Sequence, residues 1–293
     1  MNPEILGLGE ILWDLLPDGR AFGGAPCNFT FHCHQLGRRA AIISRVGSDE
    51  LGREARAFLR SLGLDDRFVQ EDETHPTGTA GVELRDGQPH FTIHEGVAWD
   101  YLVSEDSPDA ALAEVSVVCF GTLMQRHEIS RATIQRLVRL ASGQALVVCD
   151  INLRQHYYSR EVLETSLTLS RWAKLNQDEL QVLADLFGGD GRTHRTQILG
   201  LRKRFRLELV ALTFGEHGCY IQTDDEEILI SGEKVQVVDT VGAGDAFTAG
   251  LVCAVLEGLE IRDAATLANR FAARVASARG GTPRIDRATL GWP

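Results

Sequence analysis

The chain has 293 residues, of which 44% are hydrophobic and 24% are charged, and its formal net charge at pH 7 is -11. This length and composition are typical of one folded domain with a large core, and they exclude a disordered or fibrous chain. The negative charge argues against nucleic acid as a partner, because affinity for a polyanion comes from clustered Lys and Arg. No apolar run approaches the ~20 residues of a membrane span, and the first residues lack the basic start of a secretory signal. We therefore expect a cytoplasmic protein without a membrane partner.

Continuous apolar runs flanked by Gly or Asp recur along the chain, and they are typical of strands buried on both faces. Segments with helical spacing lie between them, so strands and helices alternate as in an α/β sheet with crossover helices. The pattern predicts a mostly parallel sheet with strands at 5–12, 40–44, 115–120, 145–149 and 209–213, and helices at 50–61, 130–140, 161–172 and 178–186.

Two segments depart from this alternation. Residues 79–93 indicate two short strands around an Asp86-Gly87 turn, and a hairpin inserted in an α/β domain can form a lid. Residues 219–238 contain short strands that follow one another without a helix. This second segment predicts antiparallel pairing at one edge of the sheet.

The segment 235–250 predicts a strand, a loop of small residues and then a helix. Gly242, Ala243 and Gly244 form the loop, where glycine lets the backbone approach a ligand closely. The first N–H groups of the helix face outward with the positive end of its dipole, so the loop suits a phosphate. Asp245 follows directly, and a carboxylate beside a phosphate repels it unless the carboxylate has a chemical task. We interpret Asp245 as the base that accepts the proton of an attacking hydroxyl, while the loop stabilises the migrating phosphoryl group.

The same residues allow other interpretations of this segment. Asp245 could instead only stabilise the start of the helix, which is worth about 1 kcal/mol. A dinucleotide fold also uses a glycine-rich loop, but its G-x-G-x-x-G pattern would need glycine at position 247, where the chain has Phe247. The chain also lacks the pattern G-x-x-x-x-G-K-S/T, so an ordinary P-loop is excluded.

Two signatures of a known family occur near the two ends of the chain. Asp239-Thr240-Val241-Gly242-Ala243-Gly244-Asp245 resembles the C-terminal signature of the ribokinase-like (PfkB-type) sugar kinases, and Gly23-Gly24-Ala25-Pro26-Cys27-Asn28, with Leu36-Gly37 and residues 46–52, resembles the N-terminal one. The resemblance implies a three-layer α/β/α sandwich with a mostly parallel central sheet, built as a single domain over 1–293. It also implies a small β lid, formed by a hairpin at about 77–97 plus the segment 14–24.

The same resemblance implies which residues hold the sugar. By their positions in the family's motifs, the residues that bind sugar hydroxyls are Asp14, Gly23, Gly24 and Asn28. Carboxylate and amide groups suit this task, because each can bond two hydroxyls. Arg154 follows a predicted buried strand and is assigned to the sugar or to the transferring phosphoryl group, with a surface salt bridge as the alternative.

ATP and Mg²⁺ are the cofactors that the resemblance implies. Asn176 and Glu179 match the family's N-x-x-E element, which organises magnesium through water, although the same pair could simply form a helix capping box. The residues implied to border the nucleotide are Thr213, Gly215, Gly218 and Asn269. Asp239 and the carbonyl of Val241 would help hold a monovalent cation, potassium, together with carbonyls from residues 276–281.

Residues 9–19, 121–123 and 150–154 are most similar to bacterial fructokinases, so we predict a fructokinase-like enzyme that uses a sugar and ATP. Ribose, a keto-deoxy sugar acid or a nucleoside remain alternative acceptors, because a few pocket residues set the specificity. A non-catalytic sugar- or nucleotide-binding regulator on the same fold is the alternative of another class, and the intact Asp245 counts against it. We expect a monomer or a homodimer.

Overall fold

The computed structural model describes residues 2–16, 19–85, 88–104, 109–188 and 193–292. These residues form a nine-stranded main sheet and a four-stranded small sheet. Within the described part of the chain, no helix has both the length and the apolar character that crossing a bilayer requires.

Strands and helices alternate through most of the chain. The strands are β1 (Ile5–Leu8), β2 (Leu12–Leu16), β3 (Gly19–Gly23), β4 (Ala40–Gly47), β5 (Val69–Asp72), β6 (Gly78–Arg85), β7 (Gln88–Ile93), β8 (Val117–Phe120), β9 (Leu146–Asp150), β10 (Trp172–Asn176), β11 (Leu209–Thr213), β12 (Gly218–Gln222) and β13 (Glu227–Ser231). The helices are α1 (Ala25–Gln35), α2 (Glu50–Leu62), α3 (Asp109–Leu112), α4 (Glu128–Ala141), α5 (Arg160–Leu169), α6 (Gln177–Phe187), α7 (His194–Phe205), α8 (Ala243–Leu256) and α9 (Ile261–Ala276). Short 3-10 helices cover Ala98–Tyr101, Leu123–Arg126, Gly215–His217 and Arg287–Leu290.

The main sheet has the strand order β13-β12-β11-β10-β9-β8-β1-β4-β5. Its strands run parallel from β11 to β5, while β12 and β13 pair antiparallel at one edge. This confirms the predicted mostly parallel sheet and the antiparallel pairing predicted within residues 219–238.

Helices cover both faces of the main sheet. Successive side chains of a strand point to opposite faces, and β8 shows both layers: Val118 and Phe120 pack in the core that includes α4 to α7, whereas Val117 and Cys119 pack in the core with α1, α8 and α9. All four of these side chains are at most 2% exposed. Burial on both faces explains why the predicted strands read as continuous apolar runs.

The small sheet has the strand order β3-β2-β6-β7. β6 and β7 pair antiparallel, as residues 79–93 predict, while the Asp86-Gly87 turn lies outside the described residues. β2 pairs antiparallel with β3 and parallel with β6, so the segment 14–24 contributes to the same sheet. Trp13 and Phe22 pack beneath it in a core with α2. The role of this sheet as a lid stays a prediction.

Two predicted boundaries are wrong. The strand predicted at 5–12 is interrupted after Leu8, and the chain leaves the main sheet and enters the small sheet at Leu12. The helix predicted at 161–172 ends at Leu169, because Ser170 has extended backbone angles and Trp172 already belongs to β10. Trp172 continues the apolar spacing of the helix, so periodicity alone does not reveal this change.

Candidate active site

The carboxyl ends of neighbouring parallel strands meet at one edge of the main sheet, where α/β proteins form their ligand crevices. β9 ends at Asp150, β10 at Asn176 and β11 at Thr213. The start of α8 lies against this edge, because the hydroxyl of Thr248 donates a hydrogen bond of 3.0 Å to Asp150. The crevice therefore combines strand ends with the positive end of a helix.

The first turn of α8 is built to receive an anion. Gly242 is the N-cap residue, with φ of 77°, and no side chain caps the helix. A Cβ atom at this position would lie 2.4 Å from the carbonyl oxygen of Gly281, so only glycine fits the turn. Uncapped N–H groups and the helix dipole together favour a negatively charged group at this place.

Asp245 lies in this first turn and is only 9% exposed. Its Oδ2 accepts a hydrogen bond of 2.8 Å from Nδ2 of Asn28, 217 residues away in sequence. Burial raises the pKa of Asp245 to about 6, and the negative charge of Asp150 adds to this effect. Lys174, the hydrogen bond from Asn28 and Arg154 act in the opposite direction. The carboxylate is thus ionised at neutral pH and close to the range in which a general base works well.

The predicted sugar-binding residues lie beside this pair. Oδ1 of Asn28 is buried and has no hydrogen-bond partner among the described residues, so it is available to a ligand hydroxyl. A Cβ atom at Gly23 would lie 3.1 Å from Oδ2 of Asp14, which places the carboxylate of Asp14 against the double-glycine turn. Burial raises the pKa of Asp14 to about 6, whereas the exposed Arg154 lowers it. The sequence-predicted residues of this group therefore meet in one crevice.

The turn after Gly23 is held by a buried acid that the sequence analysis did not assign. A Cβ atom at Gly24, where φ is 118°, would lie 2.2 Å from the carbonyl oxygen of Glu10. The side chain of Glu10 accepts the N–H of Ala25 at 3.3 Å, which ties it to the start of α1. Burial raises the pKa of Glu10 to about 7, although backbone hydrogen bonds and Arg154 lower it.

A second unassigned group lies under the first turn of α8. Nζ of Lys174 donates a hydrogen bond of 3.1 Å to Asp150 and lies 2.9 Å from where a Cβ atom of Gly244 would be. Burial by itself lowers the pKa of Lys174, but the negative charges of Asp150, Glu179 and Asp245 outweigh it, and the pKa is raised. Lys174 therefore places a buried positive charge directly beneath the candidate phosphate site.

Asn176 and Glu179 form a complete capping box at the start of α6. Oδ1 of Asn176 accepts the N–H of Glu179 at 2.9 Å, and the carboxylate of Glu179 accepts the N–H of Asn176 at 2.8 Å. The other carboxylate oxygen of Glu179 accepts the N–H of Leu153 at 3.0 Å, next to Arg154. The capping box, which the sequence analysis left open as an alternative to a magnesium site, is therefore present. The bond from Leu153 to Glu179 also holds the loop that carries Arg154.

Asp239 links the loop before α8 to the segment after α9. Its carboxylate accepts N–H groups of Val241 at 3.0 Å and of Gly280 at 2.9 Å. The carbonyl oxygen of Ala276 accepts the N–H groups of Val238 and Asp239, and that of Gly281 receives a hydrogen bond of 3.0 Å from His32. The predicted cation residues therefore meet, while two of the carbonyls expected from 276–281 already have protein partners.

The predicted nucleotide residues lie further along the sheet. Thr213 ends β11, Gly215 lies in the short helix after it, and Gly218 begins β12. Asn269 lies on α9 and donates a hydrogen bond of 3.1 Å to the carbonyl oxygen of Ser231 at the end of β13. These residues share the antiparallel edge of the sheet, and their assignment to the nucleotide stays a prediction.

The model of the pfkB family of carbohydrate kinases matches residues 19–287. The chain belongs to that family. This confirms the resemblance carried by the two signatures, and it identifies the protein as a sugar kinase with an alcohol group as acceptor.

This carbohydrate kinase is similar to proteins of the same family in several organisms. It is 30% identical to a fructokinase of Escherichia coli, over 96% of this chain and 95% of that protein. The crystal structure of an uncharacterized sugar kinase from Pyrococcus horikoshii in complex with ATP is 27% identical, with a TM-score of 0.83 over 95% of this chain and 94% of that one. A fructokinase of Vibrio cholerae with fructose, ADP and potassium has a TM-score of 0.85 at 23% identity, over 99% of this chain and 98% of that one. These likenesses confirm the predicted ribokinase-like fold.

The carbohydrate kinase thus has two site residues, Lys174 and Glu10, that sequence reasoning missed. A signal existed for each, since both are charged residues within apolar runs, Trp172-Ala173-Lys174-Leu175 and Gly9-Glu10-Ile11-Leu12. A charged residue at such a position is buried only when it is paired or hydrogen-bonded, which marks it as a candidate for a site.

Proposed function

We propose that this sugar kinase transfers the γ-phosphoryl group of ATP to a hydroxyl of fructose, with Asp245 as the general base. The observation that carries the proposal is the 2.8 Å hydrogen bond between Asn28 and Asp245, which joins the sugar-side signature to the phosphate-side signature. A hydroxyl held by the free Oδ1 of Asn28 lies next to a carboxylate that can accept its proton.

The residues of the chain divide the reaction between them. Asp245 is ionised at neutral pH and accepts the proton of the acceptor hydroxyl as the new bond to phosphorus forms. The uncapped first turn of α8, with Lys174 beneath it, stabilises negative charge on the phosphoryl group. Arg154 is exposed at the mouth of the crevice and can pair with the phosphoryl group or with the sugar.

The proposed magnesium and potassium sites are judged by the chemistry of their donors. Asn176 and Glu179 offer amide and carboxylate oxygens, which fit Mg²⁺ through water because each oxygen used in the capping box keeps a further lone pair. Asp239 and Val241 offer a carboxylate and a carbonyl oxygen beside α8, which fits a hard cation. The magnesium would neutralise negative charge on the phosphates. The potassium would add positive charge near the loop of Gly242 to Gly244, without contacting the phosphates itself.

Fructose is the proposed acceptor. Its support is the similarity to the fructokinase of Escherichia coli, together with the fructose bound in the fructokinase of Vibrio cholerae. Asp14 and Asn28 supply acceptors and donors for several adjacent hydroxyls, and a buried polar site of this kind disfavours analogues that lack them.

The test of the mechanism is Asp245→Asn. We expect ADP production with sugar to fall to background, because the amide cannot accept the proton. The thermal transition should stay at or above that of the wild type, because the variant has no charge to bury at this position. Asp263→Asn is the matched control, since Asp263 lies in the first turn of α9 and is exposed. Full activity of Asp245→Asn would remove the mechanism, and equal losses of stability in the two variants would favour a helix-stabilising role.

The acceptor is tested by measuring ADP release with fructose, ribose, other hexoses, keto-deoxy sugar acids and nucleosides. We expect the highest kcat/KM with fructose, and a preference for another acceptor would correct the substrate while keeping the kinase. Silence with every acceptor, combined with saturable sugar binding, would favour the regulator instead.

A further inference from the structure

A cavity of about 470 Å³ lies between the start of α4, the start of α5 and residues 95–101. Its wall is polar and aromatic, and includes Tyr101, Gln125, His127, His156, Tyr157 and Tyr158. Val162 is the one aliphatic side chain among the described residues that line it. Walls with hydrogen-bonding groups and aromatic faces are suited to a polyhydroxylated ligand rather than to an apolar one.

This cavity is separate from the candidate active site. The residues that line it do not include Asp14, Asn28 or Asp245. It also belongs to the other face of the main sheet, because α4 and α5 pack in the core opposite to that of α1 and α8. The two sites adjoin along one loop, where the N–H of Tyr157 donates to the carbonyl oxygen of Arg154 at 3.0 Å.

Arg131 supplies a positive charge to the cavity without an acidic partner among the described residues. It lies in the second half of the first turn of α4, at the positive end of the helix dipole, where a cation is unfavourable. The acid of that turn, Glu128, is exposed and does not line the cavity. An anion bound beside Arg131 would remove this unfavourable arrangement.

Arg126 adds a second cation to the wall, and its side chain is only 7% exposed. Its Nε and Nη2 donate to the carboxylate of Asp100 at 2.8 and 2.9 Å, and its guanidinium lies between the rings of Trp99 and Tyr157, 4.0 and 4.6 Å from their centroids. Nη1 of the same group has no hydrogen-bond partner among the described residues. Asp100 is thus neutralised, and a donor of Arg126 is left over.

Two helices of ten residues or more begin at the cavity. The N-cap residue of α4 is His127, whose ring accepts the N–H of Ile129 at 3.4 Å, and that of α5 is Ser159, whose hydroxyl accepts the N–H of Val162 at 3.2 Å. Both caps line the cavity, so two positive helix ends face the same space. The remaining acid, Glu95, is exposed at the rim and shares a hydrogen bond with Tyr157.

We propose that this cavity is a second ligand site, which binds the anionic group of a small polyhydroxylated molecule. Arg131 and the starts of α4 and α5 receive the anionic group, and the tyrosines face the hydroxyls. The anionic group is a phosphate or a carboxylate, because both match a guanidinium fork. The site goes beyond the proposed kinase reaction, since none of these residues takes part in phosphoryl transfer.

The test is calorimetric titration with sorbitol 6-phosphate and with gluconate, using neutral sorbitol as the reference ligand. The full chain is first saturated with Mg²⁺ and a non-hydrolysable ATP analogue, so that the phosphate site at α8 is occupied. We expect one of the two anions to bind with a stoichiometry of one, sorbitol to bind far more weakly, and the better anion to identify the phosphate or the carboxylate as the natural group.

Arg131→Gln should weaken the binding of the better anion at least about tenfold, because a charge-assisted contact is lost. Arg139→Gln is the matched control, since Arg139 lies on the exposed last turn of α4, and it should bind like the wild type. Arg131→Gln should also raise the unfolding temperature of the ligand-free protein slightly, because a cation leaves the positive helix end. Absence of binding by both anions, equal affinity in Arg131→Gln, or binding that occurs only without the ATP analogue would overturn the proposal.

Discussion

At the residue scale, the charge state of Asp245 depends on two buried neighbours that act in opposite directions. Asp150 raises the pKa of Asp245 and Lys174 lowers it, on top of a larger increase caused by burial. Because the base must be ionised to accept a proton, its pKa sets the acid limb of the pH profile of kcat/KM. This limb should lie near pH 6 in the wild type.

Changing either neighbour should move that limb in a known direction. Lys174→Met removes the positive charge, so the pKa of Asp245 rises and activity should be lost at a higher pH than in the wild type. Asp150→Asn removes a negative charge and should move the limb to a lower pH. Lys203→Met, at an exposed position on α7, is the control for the lysine change. Steady-state rates between pH 5 and 8 test this, and shifts of the same sign in both variants would contradict it.

The sequence predicted Asp245 and Asn28 because each belongs to a motif with a readable backbone reason, a glycine turn followed by a helix. The sequence could not predict that Lys174 lies close enough to Asp245 to lower its pKa. Lys174 lies on β10, Asp150 on β9 and Thr248 on α8, and only the parallel pairing of β9 with β10 brings them under the same helix. A sequence motif contains only residues that are close along the chain. The contact between Lys174 and Asp150 instead depends on the register in which β9 and β10 pair.

At the element scale, the start of α6 has two tasks that can be separated. Asn176 caps the helix, and it is also proposed to organise water around Mg²⁺. Asn176→Ala should lower the free energy of unfolding by about 1 kcal/mol, because a helix loses its cap. The same variant should need a higher Mg²⁺ concentration for half-maximal activity. Chemical denaturation and a magnesium titration of the rate measure the two effects.

A matched control exists at the start of α7. Thr193 caps that helix through the N–H of Thr196 at 3.3 Å and is exposed. Thr193→Ala should cost a similar free energy of unfolding without changing the magnesium requirement. If both variants leave the magnesium titration unchanged, Asn176 is a helix cap and nothing more.

Most strands and helices of the main sheet could be predicted because burial on both faces leaves long apolar runs between Gly and Asp. The exception at residues 5–12 has a physical cause. β1 and β2 belong to different sheets, although Leu8 of β1 and Leu12 of β2 pack in the same core. Burial alone therefore does not reveal where the chain passes from one sheet to the other. Glu10 is the one charged residue within 5–12, and in a sequence a charged residue suggests a surface position. In the structure Glu10 is only 3% exposed, so it does not mark the point where the first strand ends.

At the scale of the whole molecule, two buried carboxyl groups, Glu10 and Asp245, and the half-buried Asp14 should make the ligand-free protein less stable at neutral pH than in mild acid. The folded protein raises the pKa of Glu10 from 4.5 to about 7, and those of Asp14 and Asp245 from 3.8 to about 6. A raised pKa in the folded state contributes stability below the unfolded value, and this contribution is lost as the pH rises through the folded value. The lowered pKa values of Asp49 and Asp72 matter only in stronger acid. The buried His32, whose pKa is lowered to about 3, acts in the opposite direction over part of this range. The three carboxyl groups outweigh this single group, so the ligand-free protein should lose stability between about pH 4 and pH 7.

The variant Glu10→Gln separates the free-energy cost of burying the charge of Glu10 from the contribution of its hydrogen bond. The amide oxygen of Gln can still accept the N–H of Ala25, but the variant carries no charge to bury. From the change in pKa, the variant should be more stable than the wild type by on the order of 3 kcal/mol at pH 8 and almost equal to it near pH 4, below the unfolded pKa. Glu73→Gln, at an exposed position, should follow the wild type at both values. Denaturant unfolding at the two pH values tests this, and an equal pH dependence in Glu10→Gln and the wild type would show that Glu10 is not the group whose ionisation destabilises the empty crevice.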